Sequence, residues 1–81
     1  MMILTNDNMI INTNSVNKIY IERKLVPNSG MMLEQFYVYA DDEIIDFFPL
    51  EEEANACVNA IFSAIEEGLT TWSAKIFEEM C

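Results

Sequence analysis

Carboxylates are the side chains of this 81-residue sequence with the greatest capacity for chemistry. Fourteen Asp and Glu stand against four Lys and Arg, with no histidine, and the net charge is −10. The lack of histidine removes imidazole acid–base catalysis and histidine metal ligation. The two glycines, Gly30 and Gly68, are too far apart to form a phosphate-binding loop. We therefore expect a protein with no catalytic residues, no cofactor and no resident metal.

The two cysteines also point away from catalysis. A nucleophilic cysteine needs a base and an exposed, electropositive setting, whereas Cys57 falls in an apolar pattern within the acidic half. Cys81 is the last residue, and two cysteines do not form a disulfide framework. We expect two reduced thiols, as in a cytoplasmic protein.

The charge is unevenly distributed along the chain. Residues 1–40 carry three acids and three bases, whereas residues 41–81 carry eleven acids and Lys75 alone. Direct nucleic-acid binding is disfavoured because it depends on Lys and Arg contacts to phosphates. A protein partner with a basic surface is favoured instead. The candidate partner-binding residues are Asp41, Asp42, Glu43, Asp46, Glu51, Glu52, Glu53, Glu66 and Glu67, with Tyr37 and Tyr39 as aromatic anchors.

The acidic residues allow three interpretations. The cluster from Asp41 to Asp46 lacks the alternate spacing and central glycine of a calcium loop, which favours a solvated turn over a divalent-ion site. Rows of carboxylates on a strand, about 6.6–6.8 Å apart on one face, could imitate the repeated charge of a nucleic-acid backbone. The alternative is an acidic surface that serves solubility only.

Alternating apolar residues predict several short strands. A hairpin over residues 2–4 and 9–11 surrounds a turn at Thr5–Asn8, and longer strands cover 16–26, 31–40 and 43–48. The turns at Pro27–Gly30 and Asp41–Asp42 are short, which requires an antiparallel meander. If the register allows, Tyr20, Tyr37 and Tyr39 share one face of the sheet. That cluster is either an interface or a surface packed beneath the C-terminal segment.

One helix follows Pro49 and opens with Glu51, Glu52 and Glu53, where carboxylates favour the helix dipole. Its apolar stripe is Ala54, Cys57, Val58, Ile61, Ala64 and Ile65. Gly68 ends the helix. The remaining residues form either a second helix from Thr70 or Thr71 to about Met80, or an edge strand over 69–77. The predicted fold is one α+β domain over residues 1–81, with a small antiparallel sheet of three to five strands, one main helix and a short C-terminal helix.

Size and composition predict association. A domain this small buries only about 60% of its extended surface, yet 52% of the residues are apolar. We expect a homo-oligomer, most simply a dimer, with Trp72, Ile76 and Met80 at the interface. No apolar run reaches the ~18 residues of a membrane span, and the N-terminus lacks the pattern of a signal peptide. A soluble, cytoplasmic protein is expected.

Three segments resemble a known group of proteins. They are the strand Val16–Val26, the run Phe36-Tyr-Val-Tyr-Ala-Asp-Asp-Glu-Ile-Ile and the helix opening Glu51-Glu-Glu-Ala, in a chain rich in Ile and Asn. Together they resemble the small acidic proteins of bacteriophages and mobile elements of low-GC Gram-positive bacteria. Several of those proteins are anti-CRISPRs, and some are DNA mimics that block an RNA-guided nuclease.

The resemblance implies a phage-type inhibitor that binds a basic, nucleic-acid-binding surface of a host defence protein. A CRISPR effector nuclease in the host cell cytoplasm is the most specific form of that expectation. The alternative is a non-catalytic oligomeric adaptor that associates through the apolar stripe Trp72, Ile76 and Met80.

Overall fold

The computed structural model describes residues 1–80 and has an α+β architecture. The strands are β1 (Met2–Leu4), β2 (Ile10–Asn12), β3 (Ile19–Asn28), β4 (Met31–Ala40), β5 (Glu43–Phe48) and β6 (Thr71–Ser73). The helices are α1 (Glu51–Glu66) and α2 (Ala74–Met80), with a short 3-10 helix at Thr13–Ser15. Two three-stranded sheets, a main helix and a short C-terminal helix confirm the predicted fold class.

The larger sheet is the predicted meander, with order β3-β4-β5 and antiparallel pairing throughout. Ser29 and Gly30, at φ 51° and 80°, form the two-residue turn between β3 and β4, a geometry that matches the twist of a hairpin. The sequence placed the end of β3 at Val26, two residues too early. Pro27 stays in the strand because its nitrogen faces the outer edge, where no ladder hydrogen bond is lost.

The smaller sheet has order β2-β1-β6. β1 and β2 form the predicted hairpin, and β6 lies parallel to β1, with Ile3 opposite Trp72. Both predictions for the C-terminal segment are therefore partly correct, because Thr71–Ser73 is a strand and the helix begins only at Ala74. The backbone N–H of Met2 donates to the carbonyl of Thr70 at 2.8 Å and fixes the start of this pairing.

One hydrophobic core joins both sheets and both helices. The larger sheet contributes Phe36, Val38, Ala40, Ile45 and Phe48; the smaller contributes Ile3 and Ile11; the helices contribute Ala54, Cys57, Ile61 and Ala74. Most of the predicted apolar stripe of α1 is buried, but Ile65 is exposed. Gly68, at φ 75°, takes the left-handed conformation that ends the helix and redirects the chain into β6.

The outer edge of β5 contains a bulge and one backbone contact with the turn between β1 and β2. Ile45 is an extra residue in the strand, because Val38 pairs with Asp46 and Tyr39 pairs with Ile44. The carbonyl of Ile45 accepts a hydrogen bond from the N–H of Asn6 at 2.9 Å. No helix within residues 1–80 is long and apolar enough to cross a membrane.

Candidate protein-binding groove

The predicted acidic residues lie in separate parts of the molecule. Asp42 and Glu43 are exposed at the turn between β4 and β5, while Glu51 and Glu52 are exposed at the start of α1, and Glu53 beside them is half-buried. Glu66 and Glu67 are exposed at its other end. At about 1.5 Å per residue, the 16-residue helix separates its two acidic ends by about 24 Å. The acids therefore do not form one continuous row.

Asp41 has a structural role. It adopts φ 55°, and its carboxylate accepts hydrogen bonds from the backbone N–H of Asn17 at 3.2 Å and of Lys18 at 3.1 Å. The Asp41 N–H in turn donates to the Lys18 carbonyl at 2.9 Å. These hydrogen bonds connect the residues just before β3 to the turn after β4. Much of the hydrogen-bond acceptor capacity of the Asp41 carboxylate is therefore used within the chain.

Asp46 was expected among the exposed acids, and that expectation is wrong because its exposure is 0%. One carboxylate oxygen accepts the N–H of Phe47 at 2.8 Å, a group on the outer edge of β5, and the other has no hydrogen-bond partner among the described residues. Burial raises the pKa of Asp46 to about 6; the nearby Glu78 adds to the rise, and the bond from Phe47 opposes it.

The three tyrosines form one cluster, as the sequence allowed. Tyr20 stacks on Tyr39 with ring centroids 5.2 Å apart, Tyr37 lies 6.2 Å from Tyr39, and Phe47 extends the row 5.4 Å from Tyr37. Val38 points into the core, so this row covers the opposite side of the larger sheet. We call these four rings the aromatic face. The C-terminal segment does not cover it, since Phe77 packs against Phe48 on the core side.

Contacts within the chain engage the tyrosines of the aromatic face, whereas Phe47 at its end is 46% exposed. The ammonium of Lys24 donates to the Tyr39 hydroxyl and lies 5.3 Å from the centroid of the Tyr37 ring. The hydrogen bond to Tyr39 is the main cause that raises the pKa of Lys24. The Tyr20 hydroxyl donates to the carbonyl of Asp41 at 2.9 Å. Tyr39 is only 7% exposed, so of the two predicted aromatic anchors Tyr37 is the more accessible.

A large apolar groove lies on the other side of the molecule. It has a volume of about 850 Å³ and is bounded by the smaller sheet, the second half of α1, the segment after Gly68 and α2. We call it the groove. Its lining residues are Met2, Leu4, Ile10, Ala60, Ser63, Ala64, Glu67, Leu69, Thr71, Trp72, Ser73, Ile76, Phe77 and Met80.

Strand alternation explains why the smaller sheet contributes to the groove. In β1 the central Ile3 is fully buried in the core, so Met2 and Leu4 point to the opposite face. Leu4 pairs with Ile10 across the hairpin, which places a third apolar side chain on that face. Both faces of this short sheet are therefore apolar.

The predicted interface residues Trp72, Ile76 and Met80 all line the groove. They do not form the expected helical stripe, because Trp72 is in β6. Ile76 is 58% exposed and Met80 is 82% exposed, as expected of residues that no other part of the chain covers. Sequence reasoning missed Met2, Leu4 and Ile10. The sequence feature that could have indicated them is the run Met2–Leu4, in which no polar residue alternates with the apolar ones, so that both faces of the strand are apolar.

The acids at the C-terminal ends of the two helices, one of which lines the groove, occupy an electrostatically unfavourable position. Glu66 ends α1, Glu67 follows it and lines the groove, and Glu79 lies in the last turn of α2 next to Met80. Neither helix has a basic residue in its last turn. Carboxylates at a helix C-terminus oppose the dipole by about 0.3–1 kcal/mol each. Glu51–Glu53 lie at the N-terminus of α1, where carboxylates stabilise a helix. Helix stability therefore accounts for these three acids but not for Glu66, Glu67 and Glu79.

Within residues 1–80, no three His, Cys, Asp or Glu side chains converge to hold a metal ion.

No protein-family model, curated protein sequence or solved structure matches this chain.

Proposed function

We propose that this protein acts by binding another protein, and that the groove is its docking site for an apolar segment flanked by Lys or Arg. The observation that carries the proposal is the combination of a groove of about 850 Å³, exposed Ile76 and Met80, and the carboxylate of Glu67 on the lining. An isolated exposed Leu or Ile is ordinary, whereas a contiguous apolar surface with a polar rim is typical of interaction sites.

Burial of the groove would provide the affinity. Apolar surface contributes about 25 cal/mol per Å² when it is removed from water. Trp72 borders the groove, but it lies opposite Ile3 and packs on the core beside Phe77 at a ring-centroid distance of 5.8 Å. The exposed apolar surface comes instead from Ile10, Ile76 and Met80. Methionines at the margin, Met2 and Met80, can adapt their shape to the partner.

Charge would provide partner selection. The net charge of −10 attracts a basic surface over long range, and the acids beside the groove add local attraction. Exposed charges are screened over about 8–10 Å near physiological ionic strength, so binding should weaken as salt is raised. An apolar groove without such acids would show little salt dependence.

The most specific form of the proposal is a phage-type inhibitor of a nucleic-acid-binding protein. Such proteins neutralise phosphates with clustered Lys and Arg, the groups that an acidic inhibitor occupies in competition with nucleic acid. A CRISPR effector nuclease in the host cytoplasm is the partner that the sequence resemblance favours. The separated acids, Asp42 and Glu43 at one turn and Glu51 and Glu52 at the start of α1, would contact phosphate-binding residues outside the groove.

A second candidate is an oligomeric adaptor in which the groove closes on another copy of the chain. The exposed Ile10, Ile76 and Met80 favour it, because apolar side chains of one copy could cover those of another. Sedimentation of the protein alone separates the two candidates. A dimer abolished by Ile76→Gln with Met80→Gln favours the adaptor, and a monomer at high concentration favours the inhibitor.

The proposal is tested by capture from a bacterial lysate, with identification of the bound protein. The groove variant is Ile76→Gln with Met80→Gln. The matched control is Met31→Gln with Met32→Gln, which makes the same kind of change at residues 68% and 58% exposed near the hairpin turn. We expect a basic, nucleic-acid-binding protein that is retained by the wild type and the control, lost by the groove variant and released by salt. Equal retention by all three proteins would overturn the proposal.

A further inference from the structure

We infer that the occupant of the groove is an amphipathic α-helix with basic residues along its margins. This inference rests on the proposed function and specifies the chemistry of the partner. It depends on three features of the groove: which surfaces form it, how its walls are spaced along α1, and where its charges lie.

The surfaces of the groove favour a helix over an added strand. A strand binds through the free N–H and C=O groups of a sheet edge, and affinity grows with the length of that edge. The two outer strands of the smaller sheet, β2 and β6, have only three residues each. The groove is instead lined by side chains of β1 and β2, such as Leu4 and Ile10, and by side chains of α1 and α2. Side-chain surfaces of this kind accept a helix as an additional packed layer.

The α1 wall has the spacing and size that helix packing requires. Ala60, Ser63, Ala64 and Glu67 line the groove at intervals of three and four residues, which defines one ridge of the helix. Three of these side chains are small, so a second helix can approach to about 8–10 Å between axes. On the α2 wall Ile76 and Met80 are four residues apart and project beyond the core, where they can contact successive turns of the occupant.

The charges specify the margins of the occupant. Glu67 lies on the α1 wall, and Glu79 lies beside Met80 on α2. The C-terminal carbonyls of both helices add partial negative charge at the same ends. Lys and Arg can lay their aliphatic stems along the apolar lining and still place the charged group beside these carboxylates. An occupant with acidic margins would meet repulsion from Glu67 on the lining.

The test uses the intrinsic fluorescence of Trp72, the single tryptophan of the chain and a lining residue of the groove. The probe is a synthetic peptide of about 15 residues made of Leu and Lys, with Leu at the helical period i, i+3, i+4 and i+7. One control has the same composition with strict Leu–Lys alternation, which favours a strand. A second control replaces every Lys of the helical peptide with Glu.

We expect the helical Leu–Lys peptide to change Trp72 fluorescence saturably and to gain helical circular dichroism. The alternating and Glu peptides should bind at least about tenfold more weakly, a difference of about 1.4 kcal/mol. Binding should be lost in Ile76→Gln with Met80→Gln and kept in Met31→Gln with Met32→Gln. Equal affinity for the alternating peptide, or unchanged affinity in the groove variant, would overturn the inference.

Failure of this inference is distinguishable from failure of the proposed function. If the lysate partner is captured through the groove and the helical peptide does not bind, the groove is a docking site for another shape and this inference is wrong. If neither the peptide nor a lysate protein depends on Ile76 and Met80, the proposed function is also wrong. Binding of the peptide together with groove-dependent capture of a helical basic segment supports both.

Discussion

The aromatic face and the groove are both rich in large side chains, yet their surroundings differ. On the aromatic face each ring stacks on a neighbour, the Tyr20 hydroxyl bonds to the Asp41 carbonyl, and Lys24 bonds to the Tyr39 hydroxyl. In the groove Ile76 and Met80 project into open volume. Aromatic or apolar composition alone therefore does not mark a binding surface. The informative property is whether the chain already covers and pairs its own groups.

The edges of the larger sheet extend this comparison. The outer edge of β3 carries Pro27, which cannot donate, and Glu22, Arg23 and Lys24 lie in consecutive positions near the middle of the strand. A two-fold axis at Glu22 or Lys24 would place like charges opposite each other, whereas an axis at Arg23 would also pair Glu22 with Lys24. The outer edge of β5 is occupied by bonds from Asn6 and from Phe47 to Asp46. Both edges of the meander therefore carry features that disfavour strand addition, whereas the groove is lined by exposed apolar side chains such as Ile76 and Met80.

The largest expected effect is the loss of the central ring of the aromatic face. Tyr39→Ala removes a side chain that is 7% exposed and stacked on two others, and should lower the free energy of unfolding by about 3 kcal/mol. Tyr37→Ala should cost less, because Tyr37 is only half-buried. Urea denaturation measures both. Tyr39→Phe is the control that keeps the stack and loses only the bond to Lys24. If Tyr39→Ala left stability unchanged and abolished partner binding, the aromatic face would be the interface.

Much of this face could be predicted from the sequence. In the strand predicted over residues 31–40, side chains two positions apart share a face, and the short turns required antiparallel neighbours. The pairing of Tyr20 with Tyr39 then depended only on the register between β3 and β4, which the turn at Ser29 and Gly30 fixes. The register was not predictable in detail, because Pro27 was interpreted as the end of the strand and not as an edge residue within it.

The groove was less predictable because it depends on contacts between distant residues. The three residues of β6 are too few for local periodicity to distinguish a strand from a helix, and the sequence left both open for this segment. Pairing with β1, about 70 positions earlier in the chain, decides for a strand at Trp72. The burial of Asp46 also follows from a non-local event, because the extra residue Ile45 shifts the alternation of β5. Local periodicity contains none of this information.

A second prediction concerns Asp46, the one buried carboxylate of the meander. Its folded pKa of about 6 lies above the ordinary value of 3.8, so the folded state binds the proton more tightly than the unfolded state. The stabilising contribution of this group is full below pH 3.8 and is lost as the pH rises through about 6. Over that window the free energy of unfolding should fall by about 1–3 kcal/mol relative to a variant that cannot titrate.

Asp46→Asn provides that variant, since its side-chain oxygen can still accept the N–H of Phe47. We expect it to be more stable than the wild type at pH 7–8 by about 1–3 kcal/mol and nearly equal to it near pH 3.5. Urea denaturation across this pH range is the measurement. If the free energy of unfolding of the two proteins changed in parallel with pH, the folded state would not bind the proton of Asp46 more tightly than the unfolded state does. The fluorescence of Trp72 reports whether the groove changes with Asp46 ionisation.

A third comparison uses one glycine on each side of the molecule. Gly30, at φ 80°, turns the hairpin of the larger sheet, and Gly68, at φ 75°, directs the chain from α1 toward the groove. Neither would bring an added Cβ within 4 Å of another atom, so the cost of alanine comes from backbone strain alone. We expect about 1 kcal/mol for each variant. Only Gly68→Ala should alter Trp72 fluorescence or peptide affinity, and an equal effect of Gly30→Ala would contradict the separation of the two surfaces.

The smallest effect on stability is expected in the groove itself. Ile76→Gln and Met80→Gln change side chains that are 58% and 82% exposed, and each should alter the free energy of unfolding by no more than about 0.5 kcal/mol. The physical reason is that these atoms are already in contact with water, so a polar replacement removes little burial and leaves no cavity. The matched comparison is Phe77→Ala, which removes a half-buried ring packed against Phe48 and Trp72 and should cost clearly more. A loss of stability for Met80→Gln as large as that for Phe77→Ala would mean that Met80 is part of the core. Stability that survives both Gln changes, together with lost binding, is expected if these side chains serve the partner and not the fold.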